Sequence, residues 1–230
     1  MPLAPDSGVV VAIDGPAASG KGTVAQRVAG RLGFHYLDSG ALYRLVALQA
    51  LATGTRTDDG DALAALARDL DVRFDGERIE LTGRDVTDAL RDEPVSAAAS
   101  RVAVHPGVRA ALYQRQRAFR RAPGLVADGR DMGTVVFPEA SVKVFVTASA
   151  EERARRRALQ LAAKGIDVNI QSLLREIQER DTRDANRAAA PLVPARDAAI
   201  LDTTGMTIDA AVAAVLARCK AAGIGVRNER

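Results

Sequence analysis

Gly15-Pro16-Ala17-Ala18-Ser19-Gly20-Lys21-Gly22-Thr23 decides the fold of this 230-residue chain. The stretch follows Val9-Val10-Val11-Ala12-Ile13, an apolar, β-branched run closed by Asp14-Gly15-Pro16, which reads as a buried parallel strand. It opens the segment from Gly22 to Leu32, where Val24, Val28, Ala29 and Leu32 recur at helical spacing and Gly33 stops the helix. Strand, glycine-rich turn, lysine and helix in that order make a phosphate loop. Glycines let the backbone approach so that successive N–H groups point inward, and the helix N-terminus adds partial positive charge. Lys21 can reach the β- and γ-phosphates of a nucleotide. All nine residues, Gly15 to Thr23, are therefore candidate nucleotide contacts.

One position departs from the common pattern. Ser or Thr usually follows the lysine directly and supplies a hydroxyl to Mg²⁺; here Gly22 stands there and the hydroxyl comes one residue later, on Thr23. Magnesium is expected to be held by nucleotide oxygens and water, with no direct protein ligand assigned and Thr23 a candidate contact through water.

Working outward, Phe34 to Leu37 reads as a second strand, ended by Asp38-Ser39-Gly40, with a helix from Ala41 to Ala52 and another from Asp61 to Leu70. Val72-Arg73-Phe74 and Ile79-Glu80-Leu81 alternate apolar and polar residues around Asp75-Gly76, a hairpin signal that interrupts the βα rhythm and marks an insertion. Val86 to Ala118 reads as helix in pieces, broken near His105-Pro106-Gly107. Leu125 to Asp128, Val142 to Val146 and Ala199 to Asp202 are the third, fourth and fifth core strands. Charge-rich helices cover Ala150 to Gln160 and Ile170 to Arg180, and Ile208 to Cys219 closes the chain. Strands alternating with helices imply an α/β fold, a five-stranded parallel sheet with helices on both faces.

Composition narrows the function. The only lysines are Lys21, Lys143, Lys164 and Lys220; the rest of the 32 basic residues are arginine, the side chain best shaped for bidentate phosphate binding. Aromatics make up 3% and tryptophan is missing, so stacking platforms for nucleic acid are scarce and no nucleic-acid partner is expected. Cys219 is the single cysteine, excludes an internal disulfide and reads as a buried thiol. The start, Met1 to Gly8, is short and polar, and no stretch approaches the roughly 18 apolar residues of a membrane helix. A cytoplasmic protein is expected.

A phosphate loop alone does not separate kinase, GTPase and ATPase. No Asn/Thr-Lys-x-Asp guanine motif exists, and Asp202-Thr203-Thr204-Gly205 follows the fifth strand, which discounts it as a GTPase element. Three further stretches carry a resemblance: Leu37-Asp38-Ser39-Gly40-Ala41-Leu42-Tyr43-Arg44; Ala127-Asp128-Gly129-Arg130-Asp131-Met132-Gly133-Thr134; and Arg180-Asp181-Thr182-Arg183-Asp184-Ala185-Asn186-Arg187 with Pro191-Leu192-Val193-Pro194. With the Gly-x-x-x-x-Gly-Lys-Gly-Thr spelling, they make the chain, from about Val9 to Ala217, resemble bacterial cytidylate kinase, a nucleoside-monophosphate kinase of the P-loop class.

The resemblance implies a P-loop NTPase-type core, a monophosphate-binding insertion with a small antiparallel sheet, and a helical lid. The implied division is a nucleotide-binding core at 1–40, 120–150 and 191–230, a monophosphate region at 41–119 with the antiparallel insertion near 70–90, and a lid at 151–190. It implies transfer of the γ-phosphoryl group of ATP to CMP or dCMP, with Mg²⁺ accompanying ATP. By resemblance Ser39, Arg44 and Arg130 hold the acceptor phosphate, Ser100, Arg109 and Asp131 meet cytosine, and Asp184 with Arg180 lies on the ribose side. Arg157 is a candidate ATP contact, the choice among Arg153, Arg155, Arg156 and Arg157 staying open, and by resemblance Asp128 orients water on Mg²⁺. Ser39, Arg44, Asp128, Arg130 and Asp131 all stand just past strand C-termini, the edge at which open α/β sheets bind ligands.

Arg180, Arg183 and Arg187, at i, i+3 and i+7, are expected to share one helical face. Lys21, Arg130, Arg180 and Arg187 are the groups expected to stabilise the transferring phosphoryl group. His35 and His105 need no catalytic role, because a monophosphate acceptor is already an oxyanion at neutral pH. The alternatives are a kinase for another monophosphate such as UMP, and an ATP-switched RNA-associated protein. A monomer is expected.

Overall fold

The computed structural model describes residues 8–76 and 78–225. The polar start at residues 1–7, Glu77 of the expected hairpin and the last five residues of the expected core segment lie outside the described residues.

Strand β1 (Val9–Asp14) forms the middle of the main sheet because nearly every side chain along it is apolar and buried. A strand covered on both faces cannot alternate, and this one does not. On one side it pairs in parallel with β6 (Gly124–Gly129), from Val9 opposite Gly124 to Asp14 opposite Gly129. On the other it pairs in parallel with β7 (Val142–Thr147), Asp14 standing opposite Phe145. With β2 (His35–Asp38) beyond β6, and β8 (Ala199–Asp202) beyond β7, the order of the five strands is β2-β6-β1-β7-β8.

Helix α1 (Lys21–Leu32) starts directly after the glycine-rich turn and stops at Gly33, whose φ of 68° is the left-handed cap expected of it. Its buried Val24, Val28 and Leu32 share one apolar cluster with Val11, Ile13, Val126, Val144 and Val146 of the sheet. Val212, Val215 and Cys219 of α8 (Ile208–Ala221) complete that cluster. Burial pushes the Cys219 thiol up to about 11, so it is a core group and not a nucleophile.

Contacts divide the chain into two units: residues up to Leu37 with those from Arg117 onward, and Asp38–Gln116. In the second unit, α2 (Ser39–Thr53) is capped by Asp38, whose Oδ1 accepts from the Ala41 N–H at 3.1 Å. Leu42, Leu45, Val46 and Ala50 of α2 are buried, and the helix packs on α4 (Glu93–Val102) and α3 (Gly60–Arg68). The expected hairpin is present as β3 (Val72–Asp75) and β4 (Arg78–Leu81), with Phe74 opposite Ile79. A third strand, β5 (Arg84–Asp85), joins it antiparallel. Two residues are too short to carry an alternating pattern, so β5 had no signal in the sequence. The expected break falls between α4 and α5 (Pro106–Arg117), where the His105 ring meets the Thr57 carbonyl at 2.9 Å and Pro106 opens the next helix.

The 151–190 segment belongs to the first unit. Its helices α6 (Ala150–Ala162) and α7 (Ile170–Ala185) share a small apolar cluster of Ala154, Leu161, Leu173 and Ile177. Among the described residues no helix is long and apolar enough to cross a membrane.

Candidate active site

The phosphate loop leaves β1 through Gly15, at φ 152°, where a Cβ would collide with the Val146 carbonyl oxygen. Only glycine passes there. Gly20 caps α1 at φ 86°, while Ala18 sits at φ 58°, in the left-handed region without being glycine. Ser19 Oγ donates to the Pro16 carbonyl at 3.1 Å, and the buried Lys21 Nζ donates to the same oxygen at 3.3 Å. Lys21 also lies 3.8 Å from Asp128 Oδ1.

This arrangement explains the unusual Gly22. A Cβ there would stand 3.1 Å from Asp128 Oδ2, which accepts from Tyr36 Oη at 3.4 Å. The carboxylate at the end of β6 fills the space that a Ser or Thr would use. Thr23 next door is exposed. A buried carboxylate and an exposed hydroxyl, both oxygen donors, suit Mg²⁺, a hard dication that keeps most of its water.

Helix α6 braces the loop with two arginines. Arg153 Nη1 donates to the Ala17 carbonyl at 3.3 Å and to Asp181 Oδ1 at 3.0 Å; Arg156 Nη1 donates to the Ser19 carbonyl and to Thr203 Oγ1, both at 3.1 Å. Arg157, the candidate ATP contact named from the sequence, donates from Nη1 to Gln160 Oε1 at 3.4 Å. Thr203, inside the discounted Asp202–Gly205 stretch, donates to the Ser19 carbonyl at 3.1 Å and so buttresses the loop. Neither Thr203 nor the choice among Arg153, Arg155, Arg156 and Arg157 carries a local sequence signal.

The Asp128-to-Thr134 motif continues from β6 into a single wide turn of helix, Met132–Val136. Arg130 Nε donates to Asp184 Oδ2 at 3.1 Å, and Arg187 Nη2 donates to Asp184 Oδ1. Burial of Asp184 would raise its pKa, but the guanidiniums of Arg130, Arg187 and Arg180 outweigh it and hold the carboxyl below its usual range. Arg130, Arg180, Asp184 and Arg187, four residues singled out from the sequence, thus form one electrostatic cluster.

The expected three-arginine helical face is not what forms. Helix α7 ends at Ala185 with Asn186 as its cap, so Arg187 lies beyond the helix. Arg183 points outward, 42% exposed and 3.9 Å from Glu179. Beyond the Asn186 cap, Arg187 still reaches inward to Asp184, and the Asp184 carbonyl accepts from the Leu192 N–H at 2.8 Å.

Asp131 is buried, and directly after it the Met132 and Gly133 N–H groups donate to Asp14 Oδ1 and Oδ2, each at 2.8 Å. Burial, with the nearby charges of Asp131 and Asp128, pushes Asp14 up to about 7 against the pull of those two N–H groups. In the sequence Asp14 reads only as the end of a strand. Its charge at the last position of an otherwise apolar run was the signal available.

The remaining site residues belong to the second unit. Ser39 is buried at the first position of α2, and Arg44 Nη2 donates to Asp38 Oδ2 at 2.6 Å. A Cβ on Gly40 would come 3.1 Å from Arg44 Nη1, so glycine makes room for the guanidinium. A helix N-terminus with a serine and an arginine is a ready anion site. Ser100 is buried on α4, and the Arg109 guanidinium stands 5.7 Å over the Tyr43 ring centre. His35 and His105 each meet a backbone carbonyl, at 3.0 and 2.9 Å.

Compared with known proteins, residues 11–221 match the family model described as cytidylate kinase. A cytidylate kinase of Bordetella bronchiseptica is 60% identical over 207 residues, 90% of this chain and 93% of its own length. One from Pseudomonas aeruginosa is 59% identical over 220 residues, covering 93% and 96% of the two chains. One from Cupriavidus necator is 60% identical over 207 residues, covering 90% and 93%.

Proposed function

The chain belongs to the cytidylate kinase family, and from that premise we propose that it transfers the γ-phosphoryl group of ATP to CMP or dCMP, giving CDP or dCDP. The observation that carries this reading is the company kept by Lys21 within one unit. The lysine of the phosphate loop faces Asp128, and two residues further along the chain Arg130 is held by Asp184. Cations for a transferring phosphoryl group and the acidic turn of Asp131 therefore follow from a single strand end.

Residues Gly15 to Thr23 cradle the triphosphate through backbone N–H groups, and Lys21 neutralises charge developing on the γ-phosphoryl oxygens. Arg130, Arg180 and Arg187 serve the same charge from the cluster around Asp184. Asp184 keeps these guanidiniums oriented before any phosphate arrives, so little reorganisation is left for the reaction. Ser39 and Arg44 bind the acceptor phosphate, Ser100, Arg109 and Asp131 the base. Arg156 and Arg153, which already touch the loop backbone, join Arg157 as candidates for ATP contact. Mg²⁺ arriving with ATP would supply neutralising charge to the triphosphate, and Asp128 and Thr23 are the residues that would meet its water. No general base is required, since the acceptor oxygen is already anionic.

Residues 151–190 act as a lid, their charged helices sharing only a small apolar cluster. The enzyme is read as a cytoplasmic monomer whose partners are ATP and CMP or dCMP. An ATP-coupled assay across CMP, dCMP, UMP and AMP tests the reading. CMP and dCMP should give the highest kcat/KM; turnover of AMP or UMP ahead of both would reject it.

A further inference from the structure

Asp14 occupies a place that the mechanism above does not use. It is the last residue of β1, flanked by Gly129 of β6 and Phe145 of β7, and it is buried. The next residue, Gly15, begins the phosphate loop. Both carboxylate oxygens are engaged, one by the Met132 N–H and one by the Gly133 N–H. Those two peptides immediately follow Asp131.

A helical turn leaves its first N–H groups without partners inside the helix. Here a side chain from 118 residues away in sequence supplies the acceptor. The site is costly for an anion, because Asp128 and Asp131 contribute like charge and burial removes water. A neutral Ser or Asn could cap one N–H more cheaply, but neither can accept two N–H bonds on two oxygens. What the carboxylate adds is a fixed distance between the start of the donor loop and the turn bearing Arg130 and Asp131.

We propose that Asp14 is a positioning residue for acceptor recognition, its carboxylate locking the Arg130-Asp131 turn to the strand that carries the phosphate loop. The inference rests on Asp131 reading the base. In Asp14→Asn, the carboxamide oxygen can still accept from one N–H, while its amino group faces the other donor. The turn should then shift, and Asp131 should lose its register with cytosine.

The test is a double-mutant cycle, read as the ratio of kcat/KM for CMP to that for UMP, with KM for ATP as the check on the loop. Asp14→Asn should lower the ratio about tenfold in the wild-type background and by less than about twofold in Asp131→Asn. KM for ATP should stay within about twofold, which a general loss of structure would not allow. If Asp131→Asn lowers the ratio but Asp14→Asn does not, Asp14 is only a cap and the inference is overturned. It is overturned as well if Asp14→Asn lowers the ratio equally in both backgrounds. If Asp131→Asn leaves the ratio unchanged, the base-reading assignment itself fails and takes this inference with it.

Gly133→Ala approaches the clamp from the other side, its Cβ lying 3.4 Å from Asp14 Oδ2 and 3.2 Å from Lys143 Cδ. It should move the ratio in the same direction. Should Asp14→Asn fail to fold, a wild-type ratio in Gly133→Ala overturns the proposal.

Discussion

Asp184→Asn is the substitution that most directly weighs the arginine cluster. The Asp184 side chain is 1% exposed, that of Arg187 is 4% and that of Arg130 is 17%. Asparagine keeps the shape and one acceptor oxygen but removes the charge that balances these guanidiniums at contact distance. Breaking a buried pair by deleting one partner costs about 3–5 kcal/mol, because the other charge stays buried and uncompensated. The lower end applies here. Arg130 keeps a hydrogen bond to the Gly129 carbonyl at 3.2 Å and reaches some solvent. A loss of about 3 kcal/mol corresponds to a fall in Tm of roughly 6–12 °C for a chain of this size. Thermal and urea denaturation of wild type and variant at pH 7 would measure it. The pH dependence adds a second check. Because the folded-state pKa of Asp184 lies below the ordinary 3.8, its contribution is complete above that value and is lost as pH falls through the folded pKa. The gap between wild type and variant should therefore be full at pH 7 and shrink below pH 4. Inorganic phosphate should stabilise the variant more than the wild type, by occupying the released guanidiniums. A loss under about 1 kcal/mol, or a gap unchanged at low pH, would refute the reasoning.

Lys21→Met should leave the fold intact and lower kcat by roughly 10²-fold or more, a loss of about 3 kcal/mol of charge stabilisation; near-normal turnover at saturating ATP and CMP would contradict the loop assignment. Asp14, raised from 3.8 to about 7, binds its proton more tightly when folded, so its contribution is full below pH 4 and lost as pH rises through 7. The stability of wild type minus that of Asp14→Asn should fall by up to about 4 kcal/mol over that window, at 1.36 kcal/mol per unit; a flat difference would remove the buried-carboxylate account. Ala18→Gly relieves a left-handed alanine at φ 58°, worth about 1–2 kcal/mol, against an entropy cost of about 0.5–1. A net gain of about 0.5 kcal/mol should appear in denaturant midpoints, and a clear loss would show that the loop is unstrained.

What the sequence by itself determined is what a short window can encode. Apolar Val9 to Ile13, the glycine turn and the period of Val24, Val28 and Leu32 specify strand, loop and helix by local pattern. The hairpin of Val72 to Leu81 was legible for the same reason, since alternation and Asp75-Gly76 lie side by side. Lys21, Asp128 and Arg130 could be named because all three lie at or beyond the C-terminal ends of the strands β1 and β6, and an open α/β sheet collects ligands there.

Tertiary structure alone decided the pairings. Arg153, Arg155, Arg156 and Arg157 are equivalent in a local reading, yet successive positions on a helix differ by about 100°. Rotation of α6 against the loop puts Arg153 and Arg156 on its carbonyls and turns Arg157 to Gln160. Arg187 fits the spacing of a helical face, but α7 ends at Ala185 and Arg187, beyond it, reaches inward to the buried Asp184. Gly22 stands where a magnesium hydroxyl is usual, and only the fold shows Asp128, more than a hundred residues later in the chain, filling its space. Asp14 likewise gains its meaning only when parallel pairing sets it opposite Gly129, within reach of two amides it could not otherwise meet. Periodicity is written within a few residues, whereas the partner of a buried charge depends on which distant segments the packed sheet brings together.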